Sequence, residues 1–228
     1  MSKNIKQISR VTRSKSDAKA IYNKMSRWYD VLAGQFEKKF RDAGLQKLNV
    51  RDHEKVLELG FGTGHCILAL AQSVGNSAKV YGIDISEGML DITRAKVEKV
   101  GIAGRIKLIC SDAVKLPFEA DFFDAIFMSF TLELFDTAEI PIVLHECQRV
   151  LRNDGRICVV SLSKNRRATL IMNLYEWAHK KLPKYIDCRP IFVQKALEDA
   201  GFQIQEVTDM SMWGLPIEIV LANKGSNT

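Results

Sequence analysis

Three glycines alternate with other residues at Gly60, Gly62 and Gly64, directly after Val56-Leu57-Glu58-Leu59. A strand that enters such a turn and leaves as a helix brings bare backbone against a ligand. Amide N–H groups point outward there, and no Cβ stands in the way. The spacing is Gly-x-Gly-x-Gly. A dinucleotide fingerprint would put its third glycine at position 65, which is His65. No Gly-Lys-Ser/Thr follows, so the turn is not a phosphate loop, and a pyrophosphate is not the expected ligand. The candidate binding residues of this stretch are Glu58, Gly60, Phe61, Gly62, Thr63 and Gly64.

Two carboxylates recur at matching places downstream. Asp84 ends the run Lys79–Asp84, and Asp112 follows the run Arg105–Cys110. In a doubly wound sheet both would stand on the rim that carries the glycine turn. A carboxylate at the first place can accept two hydrogen bonds from a ribose diol. At the second it can accept from an adenine amine. Ala113, Leu116 and Phe118 offer apolar surface to the base, with Ile85 and Met89 opposite. Read singly, Asp84 is also an acid that complements a helix dipole, and Asp112 a plain turn residue. Read together with the glycine turn, they describe an adenosine pocket.

The elements that must position these residues are legible in the surrounding pattern. From about residue 55 to 163, apolar runs alternate with helical ones, and Ser86 stands as an N-cap. The runs are apolar almost throughout, which means burial on both faces and therefore a parallel sheet with crossover helices. Near the C-terminus, helical Pro190–Phe202 is closed by Gly201, and two strands follow around Trp213-Gly214. So short a link forbids a crossover, so this pair is antiparallel. The expected fold is α/β: a doubly wound, Rossmann-like seven-stranded sheet, mostly parallel, with an antiparallel C-terminal strand. Residues 1–50 read as an N-terminal helical extension, with helices near 16–32 and 35–48, serving as a lid. Residues 51–228 read as the cofactor-binding domain.

Composition narrows the class. The chain has 228 residues, 46% of them hydrophobic, and a net charge of +6. No apolar run approaches the ~20 residues a membrane span requires. The five cysteines include no Cys-x-x-Cys pair, and the four histidines have no ligand spacing. Reduced thiols in a cytoplasmic protein without a metal site are expected. Basic residues concentrate in segments 1–27 and 160–190, attached to a mildly acidic body. Both segments read as solvated helix surface or as attraction to an anionic substrate or membrane. No interleaved aromatics accompany them, so nucleic acid is the weakest partner class.

The glycine turn, Asp84 and Asp112 together resemble the class I S-adenosylmethionine-dependent methyltransferases. "FDAIFMSFTLEL" and "VLRNDGRICVVSL" extend the likeness. Within that class the chain is similar to the ubiquinone/menaquinone C-methyltransferase group, on "SRWYD", "GFGTG" and the Ser-Phe after the fourth strand. The resemblance implies S-adenosyl-L-methionine as cofactor, with contacts at Thr63, Asp84, Asp112, Ala113 and Ser129. It also implies Tyr29 in a helix over the site. The chain departs from the group after Phe130, reading Thr-Leu-Glu-Leu-Phe where quinone enzymes carry a polar, basic continuation. The expected acceptor is a small, moderately apolar or lipid-like molecule. In-line transfer needs alignment and exclusion of water rather than a triad or metal. Tyr22, Tyr29 and Glu133 are the candidate catalytic residues, each with ordinary packing as the competing reading, and His65 is a weaker one. A non-catalytic adapter and a nicotinamide oxidoreductase are the other functional classes the pattern leaves open.

Overall fold

The computed structural model describes residues 34–75, 78–164, 175 and 188–225. Seven strands form one sheet: β1 (Val56–Leu59), β2 (Val80–Asp84), β3 (Ile106–Cys110), β4 (Phe123–Ser129), β5 (Leu151–Leu162), β6 (Phe202–Met212) and β7 (Leu215–Lys224). Their spatial order is β3-β2-β1-β4-β5-β7-β6. The first five pair in parallel. β7 runs antiparallel to both β5 and β6, slotted between them. The expected architecture is therefore present, with the reversed strand inside the sheet rather than at its margin. The strand order reverses between β1 and β4, the point where open α/β sheets place their ligands.

The helices are α1 (Gly34–Leu48), α2 (His65–Ser73), α3 (Glu87–Val100), α4 (Ile140–Val150) and α5 (Val193–Asp199). Their apolar stripes explain their places. Met89, Thr93 and Val97 recur every fourth residue and form the buried face of α3. The Ser86 side chain caps this helix by accepting from Met89 N, and Gly101 ends it at φ +76°. Buried Ile140, Val143, Leu144, Cys147 and Val150 mark the inner face of α4.

Alternation along the strands splits the core in two. Ile126 and Met128 of β4 face α4 and α5 together with Ile157 and Val159 of β5. Ala125 and Phe127 face the other layer, where α1 and α2 pack with Cys158 and Val160. Strands buried on both faces carry apolar residues throughout, which is the pattern read from the sequence.

Helix α1 is firmly docked on the sheet. Phe40 and Leu48 are fully buried. At Gly44 the helix lies so close to the sheet that a Cβ would run into Val160 and come within 3.0 Å of Phe127. Arg156 of β5 caps its C-terminal end, donating to Leu48 O at 2.7 Å and to Asn49 O at 2.8 Å. Tyr22 and Tyr29, the other residues expected in a lid, lie outside the described residues.

Candidate functional site

At the carboxyl ends of β1, β2, β3 and β4 a single cavity gathers Glu58, Gly60, Phe61, Gly62 and Thr63 with Asp84, Ile85 and Met89, and with Asp112, Ala113 and Ser129. Gly64 of the glycine turn is absent from this lining and sits at the N-cap of α2 behind the turn.

The turn is pinned from several sides. Gly60 N donates to Ile83 O at 2.7 Å, and Gly64 N to Phe61 O at 2.9 Å. Thr93 Oγ1 donates to Gly62 O at 2.8 Å, and Lys96 Nζ to Thr63 O at 2.9 Å. All three glycines have positive φ. Their neighbourhoods differ, which corrects the expectation that each clears room for a ligand. A Cβ on Gly60 would overlap Thr131, and one on Gly64 would come within 2.7 Å of Thr93. Those two positions are closed by the protein's own side chains. At Gly62 a Cβ would meet nothing within 4 Å, so this glycine alone borders open space.

Asp84 is built into that turn. Its Oδ2 accepts from Gly62 N and its Oδ1 from Ser86 N, each at 2.9 Å. Burial pushes its carboxyl upward, with the backbone N–H groups of Ser86, Gly62 and Ile85 opposing. The two carboxylate oxygens have acceptor positions beyond those these backbone groups fill, which leaves capacity for a ligand hydroxyl. Asp112 stands in the 111–118 loop, where its Oδ1 accepts from Val114 N at 3.1 Å. Helix α4 clamps this loop. Glu146 accepts from Leu116 N at 2.8 Å, and Arg149 donates to Leu116 O at 3.0 Å and to Phe118 O at 2.8 Å. Arg149 holds the Glu146 carboxyl below its ordinary range.

The apolar neighbours divide. Ala113, Ile85 and Met89 line the cavity as expected, whereas Leu116 and Phe118 do not. Leu116 points into the core. Phe118 packs edge-on against Tyr81 and Phe123, with ring centroids 5.6 and 4.8 Å away. Aromatic edges prefer such faces, and the cluster draws Phe118 off the base site.

Beyond the expected set, the cavity includes Glu37 and Arg41 of α1, His65 and Cys66 of α2, and Phe130, Thr131, Leu134, Phe135 and Glu139 past β4. His65 is exposed at the rim. Glu37, Phe40, Arg41, Gly44 and Leu48 fall on one face of a helix, so two opposite charges inside an apolar stripe were the available signal. Glu133 is placed elsewhere. Its side chain is fully buried, its Oε1 accepts from Leu162 N at 3.2 Å, and it is not among the cavity-lining residues. The 3-10 turn Leu132–Leu134 directs Leu134 to the cavity and Glu133 to β5, since successive residues of a turn cannot share a face.

The electrostatics at the β1 end are unusual. Glu58 is 2% exposed, and burial together with the Asp84 charge pushes its carboxyl well above the ordinary range, while Arg41 opposes. Burial likewise raises the Cys66 thiol beside it, which keeps that sulfur protonated and inert. Glu58 Oε2 and Ser129 Oγ are buried without a hydrogen-bond partner among the described residues, and both residues border the cavity. Buried polar atoms are normally satisfied, so an orphan facing a cavity marks a place for a polar ligand. An amino-acid-bearing nucleoside fits this set: carboxylates for a diol, an amine and an ammonium group, an open glycine, and Ala113, Ile85 and Met89 for a ring. No group of three or more metal-ligating side chains occurs among the described residues.

Residues 7–188 match the ubiE/COQ5 methyltransferase family. The chain belongs to that family. Over 144 residues it is 33% identical to a demethylmenaquinone methyltransferase of Bacillus velezensis, a match covering 63% of this chain and 60% of that protein. The chain thus spans about three-fifths of the length of the curated relatives it matches. A SAM-dependent methyltransferase from Aquifex aeolicus superposes with a TM-score of 0.61 at 25% identity, covering 80% of this chain and 88% of that one. The [4+2]-cyclase SpnF superposes with a TM-score of 0.76 over 94% of this chain and 98% of its own, at 16% identity, which shows the shared fold alone. The likeness to the ubiquinone/menaquinone C-methyltransferase group drawn from the glycine turn and its neighbours is borne out by ubiE/COQ5 membership.

Proposed function

We propose that this ubiE/COQ5-family protein binds S-adenosylmethionine in the cavity at the carboxyl edge of the sheet and transfers its methyl group to a small, moderately apolar acceptor. The observation that carries the reading is the joining of Gly62 and Asp84. One hydrogen bond ties the open glycine of the turn to the carboxylate best placed for a ribose, in the cavity that also holds Asp112 and the orphaned Glu58 oxygen.

Bound there, S-adenosylmethionine supplies a methyl group already activated on a sulfonium centre. The chain's own task is to bind, orient and exclude water. Asp84 would accept from the ribose diol, Asp112 from the adenine amine, and Ala113, Ile85 and Met89 would flank the ring. Ser129 and Glu58 would meet the methionyl part. Phe130, Leu134 and Phe135 would form the apolar wall on the acceptor side. The relatives' names, demethylmenaquinone methyltransferase among them, make a quinol ring carbon the first acceptor to try. A lipid-like acceptor at an anionic membrane surface is the partner arrangement that the two basic segments favour.

Calorimetric titration with S-adenosylhomocysteine tests the cofactor reading, with NADH as control. Binding of the first and not the second is expected. Absence of S-adenosylhomocysteine binding at millimolar ligand overturns it. Transfer of labelled methyl to a demethylmenaquinol analogue, compared with non-quinone apolar acceptors, tests the acceptor class.

A further inference from the structure

We propose that Trp213, at the tip of the β6–β7 hairpin, and Phe36, at the start of α1, form a wedge that inserts into the surface of an anionic lipid bilayer beside the cavity. This rests on the lipid-like acceptor proposed above and gives it a docking surface.

The two rings meet edge to face, with centroids 4.6 Å apart. Contact does not bury them: Phe36 is 50% exposed and Trp213 67%. The pair is not needed to hold α1 on the sheet, since Phe40 and Leu48 of that helix are already fully buried. Met212 pairs with Leu215, so Trp213 and Gly214 form a two-residue loop. Both have positive φ, +50° and +84°, as a type I′ turn requires. Asn-Gly suits that turn. A bulky ring at its first position is strained, and strain of this kind persists where a function holds it. Tryptophan has an apolar body and one N–H donor, the combination favoured at the boundary between hydrocarbon and water.

The placement suits a lipid-like acceptor. Leu162, the last residue of β5, pairs with Ile217, and Ser163 N donates to Pro216 O at 2.9 Å. The hairpin tip therefore stands at the carboxyl edge of the parallel strands, the edge that carries the cavity. On the helix, Phe36 directly precedes Glu37, which lines that cavity. An apolar molecule leaving a bilayer at the wedge would meet Phe130, Leu134 and Phe135 without a long passage through water.

Charge selects the kind of surface. Residues 210–217 of the hairpin carry no charged side chain. Lys39 reaches the hairpin from α1, with Nζ 3.5 Å from Ser211 O. The chain that leads into α1 holds eight Lys/Arg in residues 1–27 against Asp17 alone. Aromatic insertion and a basic stretch are each weak by themselves, and together they hold a protein on an anionic leaflet.

The test measures co-sedimentation of the full chain with vesicles of phosphatidylcholine alone and of phosphatidylcholine with phosphatidylglycerol. Stronger partition onto the anionic vesicles is expected. Trp213→Asn should lower it roughly 10-fold or more, the loss of one buried aromatic side chain. The same variant should melt at or above the wild-type temperature, because Asn suits the turn, and should keep its S-adenosylhomocysteine affinity. In a Trp28→Phe/Trp177→Phe background, Trp213 emission should shift to the blue on the anionic vesicles and be quenched by brominated acyl chains. Equal partition of wild type and Trp213→Asn overturns the proposal, as does equal partition onto the two vesicle types. A dimer in sedimentation that Trp213→Asn dissociates, with no vesicle binding by the wild type, assigns the wedge to a second copy of the chain and overturns it too. S-adenosylhomocysteine binding without vesicle binding removes the docking surface and leaves the cofactor reading. Vesicle binding through Trp213 without S-adenosylhomocysteine binding does the reverse.

Discussion

The Asp84 carboxylate and the Gly62 amide are joined at 2.9 Å, so the second strand of the sheet holds the first strand's turn in shape. Removing the carboxylate has two consequences: a ribose acceptor is lost, and the Gly62 N–H is left without its partner. Asp84→Ala should weaken S-adenosylhomocysteine by roughly 100-fold or more, as two charge-assisted bonds require. Calorimetric titration reads this directly, and an unchanged affinity would remove Asp84 from the binding set.

Gly62 and Gly64 should respond differently to alanine. At Gly64 the new Cβ meets Thr93 at 2.7 Å and the backbone sits at φ +88°, so strain and overlap add. A loss of about 2–4 kcal/mol is expected in denaturant unfolding. At Gly62 only the φ of +50° opposes the substitution, so about 1 kcal/mol is expected. Ligand affinity should show the reverse ranking among folded protein, because only the Gly62 methyl projects toward open space. Equal effects at both sites would contradict the distinction.

Glu133 predicts a pH dependence of stability. Full burial raises its carboxyl to about 8, although Leu162 N and Ser161 oppose, and the more distant Glu37 charge adds to the rise. In the unfolded chain it ionises near the ordinary carboxylate value, while the folded state keeps its proton. Above the unfolded value the unfolded chain binds fewer protons than the native one. Stability therefore falls as pH rises toward 8, by at most about 1.4 kcal/mol per unit from this group. Glu133→Gln should flatten the melting-temperature profile between pH 5 and 8 and gain most at the upper end. A profile parallel to wild type would show that Glu133 is ionised in the fold.

Arg149 should matter to the base site without touching it. It ties the 111–118 loop to α4 through two carbonyls and orients Glu146, which holds Leu116 N. Arg149→Ala should cost about 1–3 kcal/mol of stability and weaken adenosine binding several-fold, measured by melting and by titration. If binding is unchanged, the loop holds Asp112 without the clamp.

Much of this arrangement was readable in advance because burial on both faces leaves a plain mark. The apolar runs of β1, β2, β3, β4 and β5, the Ser86 cap and the Gly101 stop each follow from local chemistry. The residues misread were those whose partners lie far along the chain. Phe118 was expected at the base and instead joins Tyr81, 37 positions away, in an aromatic cluster. Gly60 and Gly64 were read as clearance for a ligand, yet Thr131 and Thr93 fill their space. Glu133 was read as a candidate base, and a 3-10 turn rotates it toward Leu162 N. The place of Arg41 is marked in the sequence only by its position in the apolar stripe of α1, because a charge in a helix otherwise reads as surface.

Docking of α1 gives a further test. Gly44 sits where a side chain would displace Val160 and Phe127. Gly44→Leu should lose about 1–3 kcal/mol or more by overpacking. Because Arg41 rides on the same helix, affinity for S-adenosylhomocysteine should fall with it. Loss of stability with affinity intact would separate the helix from the site.

The insertion of β7 between β5 and β6 has a consequence for biogenesis. Emerging from the ribosome, Ile157–Leu162 has β4 on one flank and nothing on the other until Leu215–Lys224 is synthesised. That apolar ribbon is a sticky margin for the whole interval, and β6 has no neighbour of its own before β7 arrives. Nascent chains stalled short of residue 215 should therefore recruit holdase chaperones, and release from them should coincide with the closing hairpin.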